Sequence, residues 1–432
     1  MDSEQHSGHK DRPRVKTDSS HPESALPEQF RAYFGSAPDS IDGSVWSDGR
    51  LVQMFQSIEM LRTERYVASG WTAPLARQVY YWLRPLLTRH FRQFIHRQIF
   101  RSRVKSNVPG WPIDCSVDHL FRVVMGLVIE ISGEEEVPFI WFWPEGHPAA
   151  VMMTHDVEGS IGAAGCKMLM DLDDSFRIPA AFQLIPEGPY DPIAELVNEI
   201  RGRGHEVNLH DLDHDGRLYG NAARFAERAK KIRHYAEVYG TRGFRAGSMH
   251  RNQDWLPELQ VEYDMSVPTV AHMEPQGGGC CSVMPYFVGN VLELPLTTIQ
   301  DYGLFSILKQ SSIELWSKQI EAILKQNGLI SFIVHPDYVI ETPQQETYSE
   351  LLDYLAQQIN AHGLWAARPG DINEWWRQRR CMQLVRTASG WAIEGEGSDR
   401  ARIAYASMSG GEVSYRWDKS TVEARRCDEL LV

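Results

Sequence analysis

Between Pro148 and about Trp376 the chain alternates short apolar runs with helix-periodic segments, and this alternation limits the possible folds more than any other feature of the sequence. Ala150-Val151-Met152-Met153-Thr154 and Leu329-Ile330-Ser331-Phe332-Ile333-Val334 read as buried strands, whereas Ile193 to Arg201 and Ala222 to Tyr239 carry the period of helices. Repeated strand–helix units imply a parallel sheet or barrel, because parallel strands need crossover helices to connect them.

That stretch does not exhaust a chain of 432 residues, which is long for a single core. Residues 1–27 are polar and rich in His, Ser, Asp and Pro, and are expected to form a disordered leader without a signal-peptide apolar region. Residues 28–147 read as mainly helical. Residues 148–376 hold the strand–helix repeat. Residues 377–432 turn to short alternating segments such as Trp391-Ala392-Ile393 and Val413-Ser414-Tyr415-Arg416-Trp417 between Ser/Gly turns, which reads as a small β-rich tail.

Composition narrows the partners. Hydrophobic residues at 43% and charged residues at 23% mark a folded globular chain. A formal charge of −13 argues against nucleic acid, since phosphate binding needs a basic face. The six cysteines show no CxxC spacing and read as reduced and structural. Together with the lack of an 18-residue apolar run, this points to the cytoplasm. One basic stretch stands out, from Tyr80 to Lys105, where Arg84, Arg89, Arg92, Arg97, Arg101 and Arg103 are interleaved with Phe91, Phe94, Ile95 and Ile99. It suits a helix packed on the main domain with solvated charges, the favoured reading, or a peripheral contact with an anionic membrane.

Four clusters can carry chemistry. In Gly204-His205-Glu206-Val207-Asn208-Leu209-His210-Asp211-Leu212-Asp213-His214, two histidines lie four apart, so one helical turn would aim both at a common divalent ion. In a chain with 16 histidines such a pair alone is weak evidence. It gains weight from Thr154-His155-Asp156-Val157-Glu158 at the C-terminal end of a strand, the edge where barrels place catalysis. Strand alternation puts Asp156 and Glu158 on one face, so one acid can complete a two-histidine-one-carboxylate site while the other deprotonates water. His335 directly follows a buried strand and can act as a general acid near neutral pH, although an isolated histidine is more often structural. Arg245, within Gly243-Phe244-Arg245-Ala246-Gly247-Ser248, can hold a carboxylate by paired hydrogen bonds, or be a plain surface arginine.

In content and order along residues 148–376 these motifs resemble the polysaccharide deacetylase superfamily, also called the NodB homology or carbohydrate esterase family 4 superfamily. About 50 residues separate the first two motifs. The resemblance implies a distorted (β/α) barrel with its groove at the strand C-termini, a helical N-terminal region and a β-rich tail. It carries the metal histidines to His210 and His214, the catalytic base to Asp156, the orienting arginine to Arg245 and the catalytic acid to His335. The chain departs from the common pattern in three places: Asp156-Val157-Glu158 stands where adjacent aspartates are usual, Asp211 where a hydroxyl residue follows the first metal histidine, and Ala246 where a proline follows the arginine.

The expected enzyme is therefore a divalent-metal hydrolase, with zinc the expected ion, held by Glu158, His210 and His214. It removes an N-acyl group, acetyl first among candidates, from a sugar or glycoconjugate that is intracellular or lipid-linked. An amidohydrolase of the same architecture acting on a non-sugar C–N bond is the rival enzyme, and a catalytically silent carbohydrate-binding module the rival from another class.

Overall fold

A computed structural model of the chain describes residues 26–36, 41, 43–67, 89–105, 108–190, 193–388 and 390–417. The expected leader lies outside the described residues up to residue 25, and its last two residues begin the helix Leu26–Phe34. Residues 80–88 of the basic stretch also lie outside.

The strands are β1 (Glu136–Ile140), β2 (Ala150–Val157), β3 (Ala180–Leu184), β4 (Glu206–His210), β5 (Gly243–Arg245), β6 (Tyr263–Asp264) and β7 (Tyr286–Val288). They continue with β8 (Val291–Glu293), β9 (Leu329–Ile333), β10 (Trp365–Ala366), β11 (Gln383–Thr387), β12 (Gly390–Glu394), β13 (Ile403–Ser409) and β14 (Glu412–Trp417). β2 is buried at all eight positions, as its unbroken apolar run requires. It pairs in parallel with β3, with β9 and, at its first two residues, with β10. From β3 the parallel ladder runs through β4, β5 and β6 to β8, and β7 folds back antiparallel on β8. The helices Ile193–Gly202 and Ala222–Tyr239 stand where the periodicity places them.

The barrel does not close by a regular ladder. Between β8 and β9 the segment at Thr297 runs beside β9 on side-chain bonds, with the Thr297 amide donating to Ser331 Oγ at 2.9 Å and Thr298 Oγ1 donating to the Ser331 carbonyl at 2.7 Å. Hydroxyls substitute there for strand pairing, so the cylinder is a distorted (β/α) barrel.

The helical N-terminal region and the β-rich tail share one apolar core with the barrel, in which Phe30, Phe55, Phe121, Trp141, Met152, Trp375 and Ala404 are buried together. β1 pairs antiparallel with β13 of the tail, and β13 with β14. Arg379, on the helix Pro369–Cys381, is buried and donates to the carbonyls of Tyr33, Ile140 and Trp141. On the helix Ser116–Ser132, Asp118 accepts from Tyr33 Oη, Ser282 Oγ and the Val283 amide. These bonds fix the N-terminal region to the barrel loops.

The described part of the basic stretch is the helix Arg89–Arg103, packed on the body. His96 Nδ1 lies 2.9 Å from Tyr302 Oη, Arg97 donates to the Ser306 carbonyl, and Arg103 to those of Ala271, Glu274 and Pro275. Of the cysteines, Cys115, Cys166, Cys280, Cys281 and Cys381 are free thiols. Among the described residues no helix is long and apolar enough to cross a membrane.

Candidate functional site

Four strands deliver polar side chains to the C-terminal edge of the barrel. β2 ends in Asp156 and Val157, with Glu158 directly after it. β4 ends at His210, β5 at Arg245, and β9 is followed by Val334 and His335.

The spacing of His210 and His214 suggested one helical turn, and the structure corrects this. His210 is the last residue of a strand and His214 lies in the turn beyond it. Asp211 and His214 both take positive φ, +56° in each case, which reverses the chain and swings His214 back, so the two rings sit 4.8 Å apart. The Asp211 amide continues the ladder by donating to the Arg245 carbonyl at 2.8 Å. Its buried carboxylate accepts from the Leu212 amide at 2.8 Å and the Gly247 amide at 3.3 Å. Asp211 thus builds the turn from the position where the family motif usually has a hydroxyl. Gly247 is required on the other side: a Cβ there would lie 2.7 Å from Asp211 Oδ2 and 2.9 Å from His214 Cδ2.

Glu158 meets both histidines. Its Oε1 lies 3.0 Å from His214 Nε2, 3.9 Å from His210 Nε2 and 3.6 Å from His335 Nε2. Burial alone would raise this carboxyl, yet His214, His210 and His335 hold it well below the usual carboxylate range. One ligand atom each from Glu158, His210 and His214 lies within 4.8 Å of the others.

These residues fit a divalent ion. His210 Nδ1 lies 3.2 Å from the Arg245 carbonyl, which can only accept, so Nδ1 carries the proton and Nε2 presents a lone pair. That Nε2 is buried with no hydrogen-bond partner, and it faces Asp156 Oδ2 at 3.7 Å as well as Glu158. A lone pair directed at two carboxylates is unfavourable without a cation between them, and a ring whose other nitrogen donates to a carbonyl is the common state of a metal-bound histidine. A tetrahedral ion with bonds of about 2.1 Å separates its ligand atoms by about 3.4 Å, within the range seen here.

Asp156 is nearly sealed from solvent. Arg245 Nη1 donates to its Oδ1 at 2.6 Å and to Thr154 Oγ1 at 2.8 Å, while Arg245 Nε is anchored on the Met265 carbonyl at 3.0 Å. Burial would raise the Asp156 carboxyl, but Arg245, His210 and His335 hold it below the ordinary value. One oxygen is thereby committed to Arg245, and Oδ2 faces the histidines.

Asp301 has no counterpart in the sequence reading. It is fully buried, and Oδ1 lies 2.7 Å from His335 Nδ1 while Oδ2 accepts the His335 amide at 2.7 Å. It also caps a π-helical stretch, Tyr302–Leu308. Burial would lower His335, but Asp301, assisted by Glu158, raises it well above the usual histidine value, which favours the protonated ring, and its Nε2 points toward the cluster, 3.6 Å from Glu158 Oε1. Only the fold reveals Asp301, because a single acid after Gln300 in an aperiodic stretch carries no sequence signal.

No family model and no curated protein sequence matches the chain. Solved structures are similar over about half of the chain. A Mycobacterium smegmatis protein classed as a polysaccharide deacetylase shares 20% identity over 55% of this chain and 93% of its own, with a TM-score of 0.44. Puue allantoinase shares 15% over 54% and 92%, with a TM-score of 0.45. The peptidoglycan deacetylase PdaC from Bacillus subtilis shares 13% over 54% and 94%, with a TM-score of 0.35.

Proposed function

We propose that the chain is a divalent-metal-dependent hydrolase that removes an N-acyl group, acetyl first among candidates, from a sugar or glycoconjugate. The observation that carries this reading is the convergence at one strand edge of Glu158, His210 and His214 with an arginine-held Asp156 and an aspartate-held His335.

Glu158, His210 and His214 would hold the ion, with zinc the expected metal. When bound, it supplies Lewis acidity toward the acyl oxygen and toward water. Asp156 acts as general base through Oδ2, since Arg245 occupies Oδ1 and fixes the carboxylate plane. Its depressed basicity keeps it ionised and ready to accept a proton. His335 acts as general acid through Nε2–H and gives that proton to the departing amine, while Asp301 on Nδ1 holds the tautomer and the ring angle. Asp156 and His335 both face the cluster, which favours an active hydrolase over a silent carbohydrate-binding module.

The test is acetate release from a panel of N-acetylated sugars by protein stripped of metal and then reloaded with zinc. Metal-dependent release from at least one sugar is expected. Cleavage of non-sugar amides alone would transfer the site to the rival amidohydrolase reading.

A further inference from the structure

His155 lies between Thr154, which accepts from Arg245, and the Asp156 base, yet its own side chain has no part in the site. Strand alternation turns it to the opposite face of β2, where it is fully buried. Its Nδ1 lies 2.9 Å from the Val334 carbonyl, and its Nε2 lies 2.9 Å from Asp173 Oδ2. A carbonyl can only accept, so Nδ1 carries a proton, and a second proton bridges Nε2 and the carboxylate. Asp173, near the end of the helix Ser160–Ser175, is fully buried as well, and its Oδ1 accepts from Tyr348 Oη.

The Val334 carbonyl belongs to the peptide unit that leads into the catalytic acid. The N–H of that same unit is the His335 amide, which donates to Asp301 Oδ2 at 2.7 Å. A trans peptide is a rigid plane whose carbonyl and N–H point in opposite directions. His155 and Asp301 therefore grip one plate from its two edges, and the plate carries the Cα of His335. The Val334 amide adds a third hold by donating to the Thr154 carbonyl at 3.0 Å. Stability alone does not account for the pair. The ring of Phe182 lies 4.8 Å from that of His155 and the ring of Tyr348 lies 6.0 Å away, so an apolar side chain would suit the same space without the cost of burying an imidazole and a carboxylate. What the pair adds is direction.

Resting on the deacylase reading of the site, we propose that His155 and Asp173 are positioning residues, which set the His335 ring against Asp156 and the departing amine by holding the Val334–His335 peptide from behind the sheet. Asp173 aligns the His155 ring, and Tyr348 aligns Asp173. Neither residue reaches the mouth of the barrel. Their effect falls on kcat, because proton delivery to the amine depends on where the His335 ring stands, whereas binding of the intact amide does not use that proton.

Two substitutions separate the two ends of the ring. His155→Asn keeps a donor where Nδ1 stands and loses the one toward Asp173, and His155→Gln does the reverse. Zinc-loaded full chains are compared in turnover of one acetamido sugar, in metal content and in crystal structures. His155→Gln should lower kcat by at least about tenfold with KM within about twofold and metal content unchanged, and should displace the His335 ring by about 0.5 Å or more. His155→Asn should lose no more than about threefold in kcat, with the ring in place. Asp173→Asn leaves the Val334 bond but loosens the ring, so its kcat should fall between these two. It also decides the question if His155→Gln does not fold, since an unchanged kcat with an unmoved His335 overturns the proposal. Equal losses in the two His155 variants, or a loss that enters through KM or metal content, overturn it as well. A His335 ring displaced in His155→Gln alone, while no form cleaves an acetamido sugar, would sink the deacylase reading and keep the brace. Full turnover of the sugar by His155→Gln would do the reverse.

Discussion

Glu206 opens strand β4 at the floor of the barrel, and Glu158 meets the last residue of the same strand, His210, at its mouth. Glu206 accepts from Tyr263 Oη, Asn208 Nδ2 and the Gly370 amide, so its carboxylate is met by donors already in place, and burial pushes its carboxyl up. Glu158 is 30% exposed, faces three histidines and is held low. The floor even has a cavity of about 310 Å³, lined by Glu206, Arg242, Tyr263 and Arg368. Yet Arg368 is closed on Asp371 at 2.8 Å, and Arg201 is spent on backbone carbonyls. A satisfied polar network holds a structure together, while a cluster that lacks its counter-ion is organised for something yet to bind. The difference between the ends of β4 is therefore one of unfilled bonding rather than of cavity size.

Breaking the mouth should affect rate or metal, and breaking the floor should affect stability alone. The largest effect is expected at the acid: His335→Ala should lower kcat by about 10² to 10⁴ with the fold intact by circular dichroism. Asp301→Asn refines this, because the general acid must be protonated and activity is lost as pH rises through the His335 pKa. Removing the aspartate that raises this pKa should move the alkaline limb of the rate profile to lower pH, and an unmoved limb would remove Asp301 from the account. Next comes Gly247→Ala, whose methyl would press on the His214 ring. Metal affinity should fall by about 10- to 100-fold, read by competition with a chelating dye. The smallest effect is at the floor. Tyr263→Phe deletes a donor to Glu206 and Asn208 and should cost about 1 to 2 kcal/mol in urea unfolding, with metal affinity unchanged. A floor variant that sheds metal as readily as Gly247→Ala would erase the distinction between the two ends.

The sequence exposes those parts of this arrangement that repeat or lie close together. β2 and β9 declare themselves as apolar runs because both their faces are covered. Asp156, Glu158, His210, His214, Arg245 and His335 stand in recognisable order, and the structure brings all six to one edge. The local geometry of the histidine pair is less legible, since four-residue spacing points to a helical turn and the enrichment of Asp and His at positive φ is too weak to single out Asp211 and His214. Long-range partners were equally hidden. Nothing near β1 indicates that it pairs with β13, far along the chain, and Asp301 becomes meaningful only when the backbone seats it under His335. The basic stretch read as either a packed helix or a membrane contact. His96, Arg97 and Arg103 face the body, which favours packing, although residues 80–88 lie outside the described residues.

The central claim is a division of labour between two acids two residues apart, and the most direct test measures metal content and turnover together in Asp156→Asn and Glu158→Gln. Asp156, held by Arg245, should be the base: its asparagine variant keeps about one divalent ion per chain and loses about 10² to 10⁴ in rate. Glu158, 3.0 Å from His214, should be the ligand: its glutamine variant loses metal first and recovers part of its rate when metal is supplied in excess. An Asp156→Asn protein that sheds its metal beside a Glu158→Gln protein that keeps both metal and near-normal turnover would contradict the account and reverse the two roles.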